Sequence, residues 1–277
     1  MRLRSNIAAM AAAGKVGRTR SRLQDSLSKL ASGTRIVRAA DDAAGLAVAT
    51  NLETQRRSLD VAMRNTNDGL SMLQTAEGAI GEMIDILQRI HELAIQSASE
   101  TLADDEREFI QDEEEALFNE MDRIVGTTEF NGIQLLDGSS STLGVQVGIY
   151  NTSDDRITLP LFNLDPNDLA GFAEGTTYSL DDVADARTNA DYIRLIHIPA
   201  LSRMRSRIGA VHNRLTSVLS HGQQHAESLA AAESRIMDTD FATETAELAK
   251  QQLLEAAGMG ALAQAKNLNQ SVLTLLG

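Results

Sequence analysis

The chain contains no cysteine and no tryptophan. Without cysteine there is no disulfide framework, no thiolate metal site and no cysteine nucleophile. Aromatic residues make up 3% of the chain, although 43% of it is hydrophobic. An ordinary core would draw on Phe, Tyr and Trp, which bury the most area per residue. A core of Ala and Leu favours close helix-on-helix packing instead. Proline is almost as scarce: Pro160, Pro166 and Pro199 leave 1–159 and 200–277 free of it, as long helices require. No apolar run reaches 18 residues, which argues against a transmembrane helix. A glycine-rich phosphate loop and a nucleophile motif are also missing, so nothing points to an enzyme or a cofactor.

What is present is length, charge and periodicity. The 277 residues suffice for one large domain or two modest ones. A net charge of −14 makes the whole chain a poor nucleic-acid binder. The charge is uneven. Residues 1–38 carry nine basic side chains against the single acid Asp25, whereas ADDEREFIQDEEEALFNEMD is an acidic centre. A basic arm and an acidic body suggest head-to-tail contact between copies; a merely solvated face explains them equally well. The basic, Ala-rich N-terminus has only a short apolar stretch, closely followed by more basic residues. That argues against a cleaved secretory signal, so export, if it occurs, is expected without cleavage.

Apolar residues recur at 3–4 spacing through Leu73, Ala76, Ile80, Met83, Leu87, Ile90 and Ala94. A second seam runs through Leu201, Met204, Ile208, Val211, Leu215 and Val218, resuming at Leu229, Ala232 and Ile236. A third, shorter one runs through Ile110, Leu117, Met121 and Ile124. Such seams pack helices nearly parallel to one another. The ends form their own pair: Leu3, Ile7, Met10, Val16, Leu23, Leu27 and Leu30 mark one amphipathic helix, and Leu254, Ala261, Ala265, Leu268, Val272 and Leu275 another. Between them the pattern changes. Asn131-Gly132 and Asp137-Gly138 are turn dipeptides. Leu143, Val145, Val147 and Ile149 alternate as in a half-buried strand, Arg156–Leu164 is a second candidate strand, and DVADARTNADYIRLIHI resumes a helical pattern. The expected fold is mainly α: a long antiparallel helical bundle or coiled coil formed by both chain ends, with a small β-hairpin region in the middle.

The tail LNQSVLTLLG is an apolar stripe without a charged end. Termini are usually frayed and polar, and isolated short helices are marginal in water. This one is expected to pack on several sides, against the N-terminal arm and against other copies, ordering on assembly.

Five stretches then carry a resemblance. SLSKLASGTRIVRAADDAAGLAVATNLETQ, RNTNDGLSMLQTAEGAIGEM and LQRIHELAIQSAS resemble the N-terminal region of bacterial flagellin. TTEFNGIQLLDGS resembles that family's entry into its β region, and AAAESRIMDTDFATETAELAKQQLLEAAGMGALAQAKNLNQSVLTLLG its C-terminal region. The likeness covers roughly 1–140 and 195–277. It implies a self-assembling subunit of the flagellar filament, extracellular, whose termini pair as helices around the lumen. It implies type III export, an export chaperone, a filament cap and hook-junction proteins as partners, with no nucleic acid and no membrane. The expected division is an inner domain of 1–45 plus 236–277, a core domain of 46–150 plus 185–235, and a short variable insert at 151–184. The lumen helices would pack through Leu23, Leu27, Leu30, Leu254, Leu262, Leu268, Val272, Leu275 and Leu276. The family commonly starts with a different polar stretch from LRSNIAAM, which leaves open a major or a specialised filament protein.

Arg89, Leu93 and Glu113 resemble the surface that the vertebrate Toll-like flagellin receptor recognises; contact between stacked subunits is the simpler role for them. His221 and His225 lie four apart, a metal-compatible spacing, but surface or seam histidines are the plainer reading, and no metal is expected. Asp41-Asp42 and Asp238/Asp240 are paired acids; Asp238 reads as a helix cap rather than a catalytic group. Asn151-Thr152-Ser153 is a formal sequon without weight in a bacterial protein. Alternative functions are a hook–filament junction protein, sharing paired terminal helices, or a secreted coiled-coil or translocator-type protein with lipid-seeking ends.

Overall fold

The computed structural model describes residues 6–139, 142–164 and 180–274, with side chains as far as residue 267. The chain divides into two compact units, 1–56 with 227–277, and 57–226. The helices are α1 (Ile7–Ser32), α2 (Ala43–Ser97), α3 (Asp104–Thr127), α4 (Val183–Tyr192), α5 (Ile198–Met237) and α6 (Phe241–Thr274). The strands are β1 (Glu129–Phe130), β2 (Ile133–Gln134), β3 (Thr142–Gln146) and β4 (Arg156–Pro160).

The proline-free stretches become long helices. α2 alone has 55 residues, about 80 Å at 1.5 Å per residue. It starts where Asp42 Oδ1 accepts from the Gly45 amide at 2.8 Å. A Cβ on Gly45 would stand 2.5 Å from Asp42 Oδ2, so a side chain there would displace the capping carboxylate. Asp41 does different work, accepting the Val37 and Arg38 amides at 3.1 and 2.8 Å to close the preceding turn.

In the unit spanning 57–226 the sequence seams are the core. Leu73, Ala76, Ile80, Met83, Leu87, Ile90 and Ala94 are all buried, as are Ile110, Met121, Leu201, Ile208 and Leu215. The β region covers one part of this core as two antiparallel hairpins, β1–β2 and β3–β4. Asn131 (φ 52°) and Gly132 (φ 77°) both adopt the left-handed conformation that a two-residue hairpin turn demands. Val145 pairs with Ile157 and Leu143 with Leu159; Ile157 and Leu159 are fully buried. Both strands are shorter than the sequence pattern suggests. β3 ends at Gln146, where the Val147 and Gly148 amides both reach Asp155 O. β4 ends at Pro160, beyond which Phe162 N and Leu164 N donate to the carbonyls of Leu135 and Leu136.

The return helix is interrupted. Residues 193–197 form a wider turn in which the Ile198 amide reaches back to Ile193 O. Proline has no N–H and crowds the carbonyl four residues before it; widening the helix here lets the chain pass Pro199 and continue for 40 residues. α6 is capped by Asp240, whose Oδ1 accepts the Ala242 amide at 2.9 Å and whose Oδ2 accepts the Thr243 hydroxyl at 2.7 Å. The expected cap, Asp238, instead accepts the Ser234 hydroxyl at 2.6 Å and bridges to Thr34. Two acids two residues apart are indistinguishable as caps until the start of the helix is known. Much of the expected insert, 165–179, lies outside the described residues.

Candidate functional site

The unit built from both chain ends has little interior. Its fully buried side chains, among the described residues, are Ser26, Ile36, Ala49, Leu229 and Gln251. What holds it together is the antiparallel pairing of α1 with α6. The Asn6 amide donates to Ala265 O at 2.8 Å, while its Oδ1 caps α1 by accepting the Ala9 amide at 2.9 Å. Arg20 meets Glu255 at 2.9 Å. Between them a Cβ on Gly258 would stand 2.9 Å from Val16 Cγ2, so Val16 packs close to α6 where α6 has no side chain. At the other end Gly33 turns left-handed (φ 73°). There the Arg35 amide donates to Met237 O at 2.6 Å, and the Thr239 amide to Gly33 O at 3.0 Å.

The inward side of α1 runs through Ala12, Val16, Thr19, Leu23, Ser26 and Leu30, and that of α6 through Leu248, Gln251, Glu255, Gly258, Leu262 and Ala265, all partly or fully covered. This is a heptad seam, but a thin and partly polar one. The large apolar residues mostly miss it. Ile7 is 64% exposed, Met10 70%, Leu253 72% and Met259 50%; Leu27, Leu254 and Phe241 are exposed as well. Sequence spacing places Ile7, Met10 and Leu27 in one stripe with Val16, Leu23 and Leu30; the fold sends the first three outward. Of the expected packing residues, Leu23, Leu30 and Leu262 are half-buried, and Leu27 and Leu254 are exposed. Leu268 and Val272 lie within α6, but their side chains, like Leu275 and Leu276 altogether, fall outside the described residues.

The other expected site divides. Arg89 Nη2 donates to Glu113 Oε1 at 2.7 Å and Nη1 to Glu92 Oε2 at 3.3 Å, both acids exposed. Leu93 does not share that surface. It is 1% exposed and packs with Ala94, Ile110, Leu180, Ala186 and Ala190, because four residues on from Arg89 the helix has turned a further 40° toward the core. His221 and His225 are exposed with ring centroids 6.2 Å apart. Among the described residues no group of three metal-ligating side chains is present.

Two buried charges escape a reading of the sequence. Glu114 is fully buried, and burial, with Asp181 adding repulsion and a Gln111 side-chain hydrogen bond opposing both, raises its pKa to about 7. Inside the run DEEEAL it looks like its neighbours. Its one signal is position, four after Ile110 and three before Leu117 on the inward seam. Arg107, 4% exposed, donates to the carbonyls of Ser97, Ser99 and Leu102 and so ties the α2–α3 connection. The return segment is held beside it: Ser97 Oγ donates to Leu180 O, and Leu180 N to Gln111 Oε1.

Comparison with known proteins places these features in a family context. Residues 3–141 match the N-terminal helical region of bacterial flagellin, and residues 197–276 its C-terminal helical region. The chain is 40% identical to a flagellin of Halalkalibacterium halodurans and 35% identical to the flagellar filament 33 kDa core protein of Treponema phagedenis, across the whole of both chains in each case. Among solved structures, Bacillus cereus flagellin superposes with a TM-score of 0.50 at 30% identity, over 57% of this chain and 88% of that one.

Proposed function

The chain belongs to the bacterial flagellin family, and from that premise we infer how its helices serve. It is a structural subunit of the flagellar filament, built for swimming motility. The observation that carries the mechanism is the outward apolar face of the α1–α6 pair. Monomeric proteins rarely leave contiguous apolar surface uncovered. Here Ile7, Met10, Leu253, Leu254 and Met259 are exposed on a unit with almost no interior of its own. Copies of the chain cover that face when they stack, so each added subunit gains burial that the free monomer lacks. Coupling order to assembly keeps the monomer from locking into a finished shape too early.

On this reading α1 and α6 form an inner layer around the lumen, with Leu23, Leu27, Leu30, Leu254, Leu262, Leu268, Val272, Leu275 and Leu276 packing within and between copies. The short stretch 151–184 takes the place of larger outer domains. Type III export, an export chaperone, a filament cap and hook-junction proteins belong to the same proposal. The exposed Arg89–Glu113 pair serves contact between subunits, and is what a Toll-like flagellin receptor would meet on the free monomer.

The test is electron microscopy of seeded monomer beside a chain lacking 268–277. Filaments from the full chain and none from the truncation support the reading. Equal assembly by both removes the tail from the mechanism, and no assembly by either overturns the subunit proposal.

A further inference from the structure

Two surfaces of the 57–226 unit mirror one another in register. On α3, Asp105, Phe109 and Asp112 occupy positions i, i+4 and i+7 of one face. All three are exposed, and Phe109, at 72%, is among the most exposed large apolar residues described. On α5, Arg207, Val211 and Arg214 repeat the same spacing, with both arginines exposed. Among the described residues none of these four charged side chains has an ion-pair or hydrogen-bond partner, whereas Arg89, Arg123, Arg194 and Arg205 all do. Arg207 and Arg214 flank a cleft of about 440 Å³ floored by Pro160, Leu161, Phe162 and Val211. Seven helical residues span about 10.5 Å, so the two arginines are separated along their axis as the two aspartates are along theirs.

We propose that the α3 face of one copy docks into this cleft of a second copy, with the Phe109 ring on the apolar floor and Asp105 and Asp112 against the two arginines. The occupant is a second copy of this chain because the chain itself displays the matching helix: an exposed aromatic between two unpaired acids, at the spacing of the two unpaired bases. A central aromatic anchor rimmed by opposite charges is the usual anatomy of a specific contact. Exposed ion pairs contribute little singly; their part here is register and the rejection of wrong partners. Because the two surfaces differ, the contact runs head to tail. Each copy retains a free cleft and a free helix for the next, which is the geometry of an open polymer rather than a closed dimer. This interface rests on the filament-subunit reading and adds a specific contact to it.

The experiment reverses charge on either side. One variant carries Asp105→Arg and Asp112→Arg; the other carries Arg207→Glu and Arg214→Glu. Each is assayed alone and mixed in equal amounts, by sedimentation and electron microscopy of seeded monomer. Alone, each is expected to raise the concentration needed for polymerisation by about tenfold, since like charges then meet at every contact. Mixed, the two are expected to polymerise as an alternating chain, because every reversed helix finds a reversed cleft. Unchanged polymerisation of either variant alone, or no recovery in the mixture, overturns the pairing.

A second measurement covers a variant that fails to fold. Phe109→Cys and Val211→Cys in one chain introduce its only thiols, and oxidation during assembly should give a ladder of dimers, trimers and higher species. Dimers alone, or no cross-link, overturn the head-to-tail contact. If the unaltered chain fails to polymerise, the filament-subunit reading itself fails; if it polymerises while the variants behave like it, only this interface does.

Discussion

Glu114 offers the most direct energetic test of the fold. Replacing it with glutamine or leucine removes a fully buried carboxylate. Its ordinary pKa of 4.5 is raised to about 7, by burial first and by Asp181 second. The unfolded chain therefore releases this proton near pH 4.5, while the folded chain holds it up to about pH 7. Between those values the folded state binds the extra proton, so stability must fall as pH rises and level off above about pH 7. A difference of about 2.5 pH units, at about 1.4 kcal/mol each, makes the loss about 3 kcal/mol. The assay is urea unfolding of the monomer, followed by circular dichroism from pH 4 to 9, for the unaltered chain and both variants. Groups shared by all three chains cancel in the difference. That difference should be small near pH 4 and grow to about 3 kcal/mol above about pH 7. Leucine should add a further, pH-independent gain from apolar burial. A difference that does not change with pH would refute the reasoning, since it would mean the carboxylate reaches water or a partner when ionised.

Three further changes test other joints. Gly258→Val should push α6 away from Val16 and lower filament yield in a sedimentation assay, while leaving the unfolding of the 57–226 unit unchanged. Arg107→Ala strips donors from three carbonyls in a buried connection and should cost about 2–4 kcal/mol in urea unfolding. Asp240→Ala removes the cap of α6 and should cost about 1 kcal/mol, whereas Asp238→Ala should cost less; hydrogen exchange of residues 241–250 separates the two.

Much of the 57–226 unit was legible in its sequence. Leu73 to Ala94 all turned inward because apolar residues on that part of α2 are confined to one stripe, and a stripe has one way to be buried. The turn at Asn131-Gly132 was equally plain, since few other dipeptides take two left-handed residues in succession. The site was less so. Leu93 reads as a neighbour of Arg89 on a motif, yet its position on the helix circumference sends it inside. Asp105 and Asp112 read as ordinary members of an acidic run, and only exposure, the absence of partners and the cleft on α5 set them apart.

The sequence by itself determined the architecture: two ends that pair, three long seams, a small β region and a family. Periodicity and turn chemistry are local properties, and each long seam admits one packing. Tertiary structure alone decided the functional surface. On α1 and α6 apolar residues lie on more than one side, so spacing cannot say which ones meet and which face outward. The choice fell to the close approach of Val16 and Gly258, together with Asn6 and Arg20 at their contacts on α6. That approach covers Leu23, Leu30 and Leu262 and leaves Ile7, Met10, Leu253 and Met259 exposed.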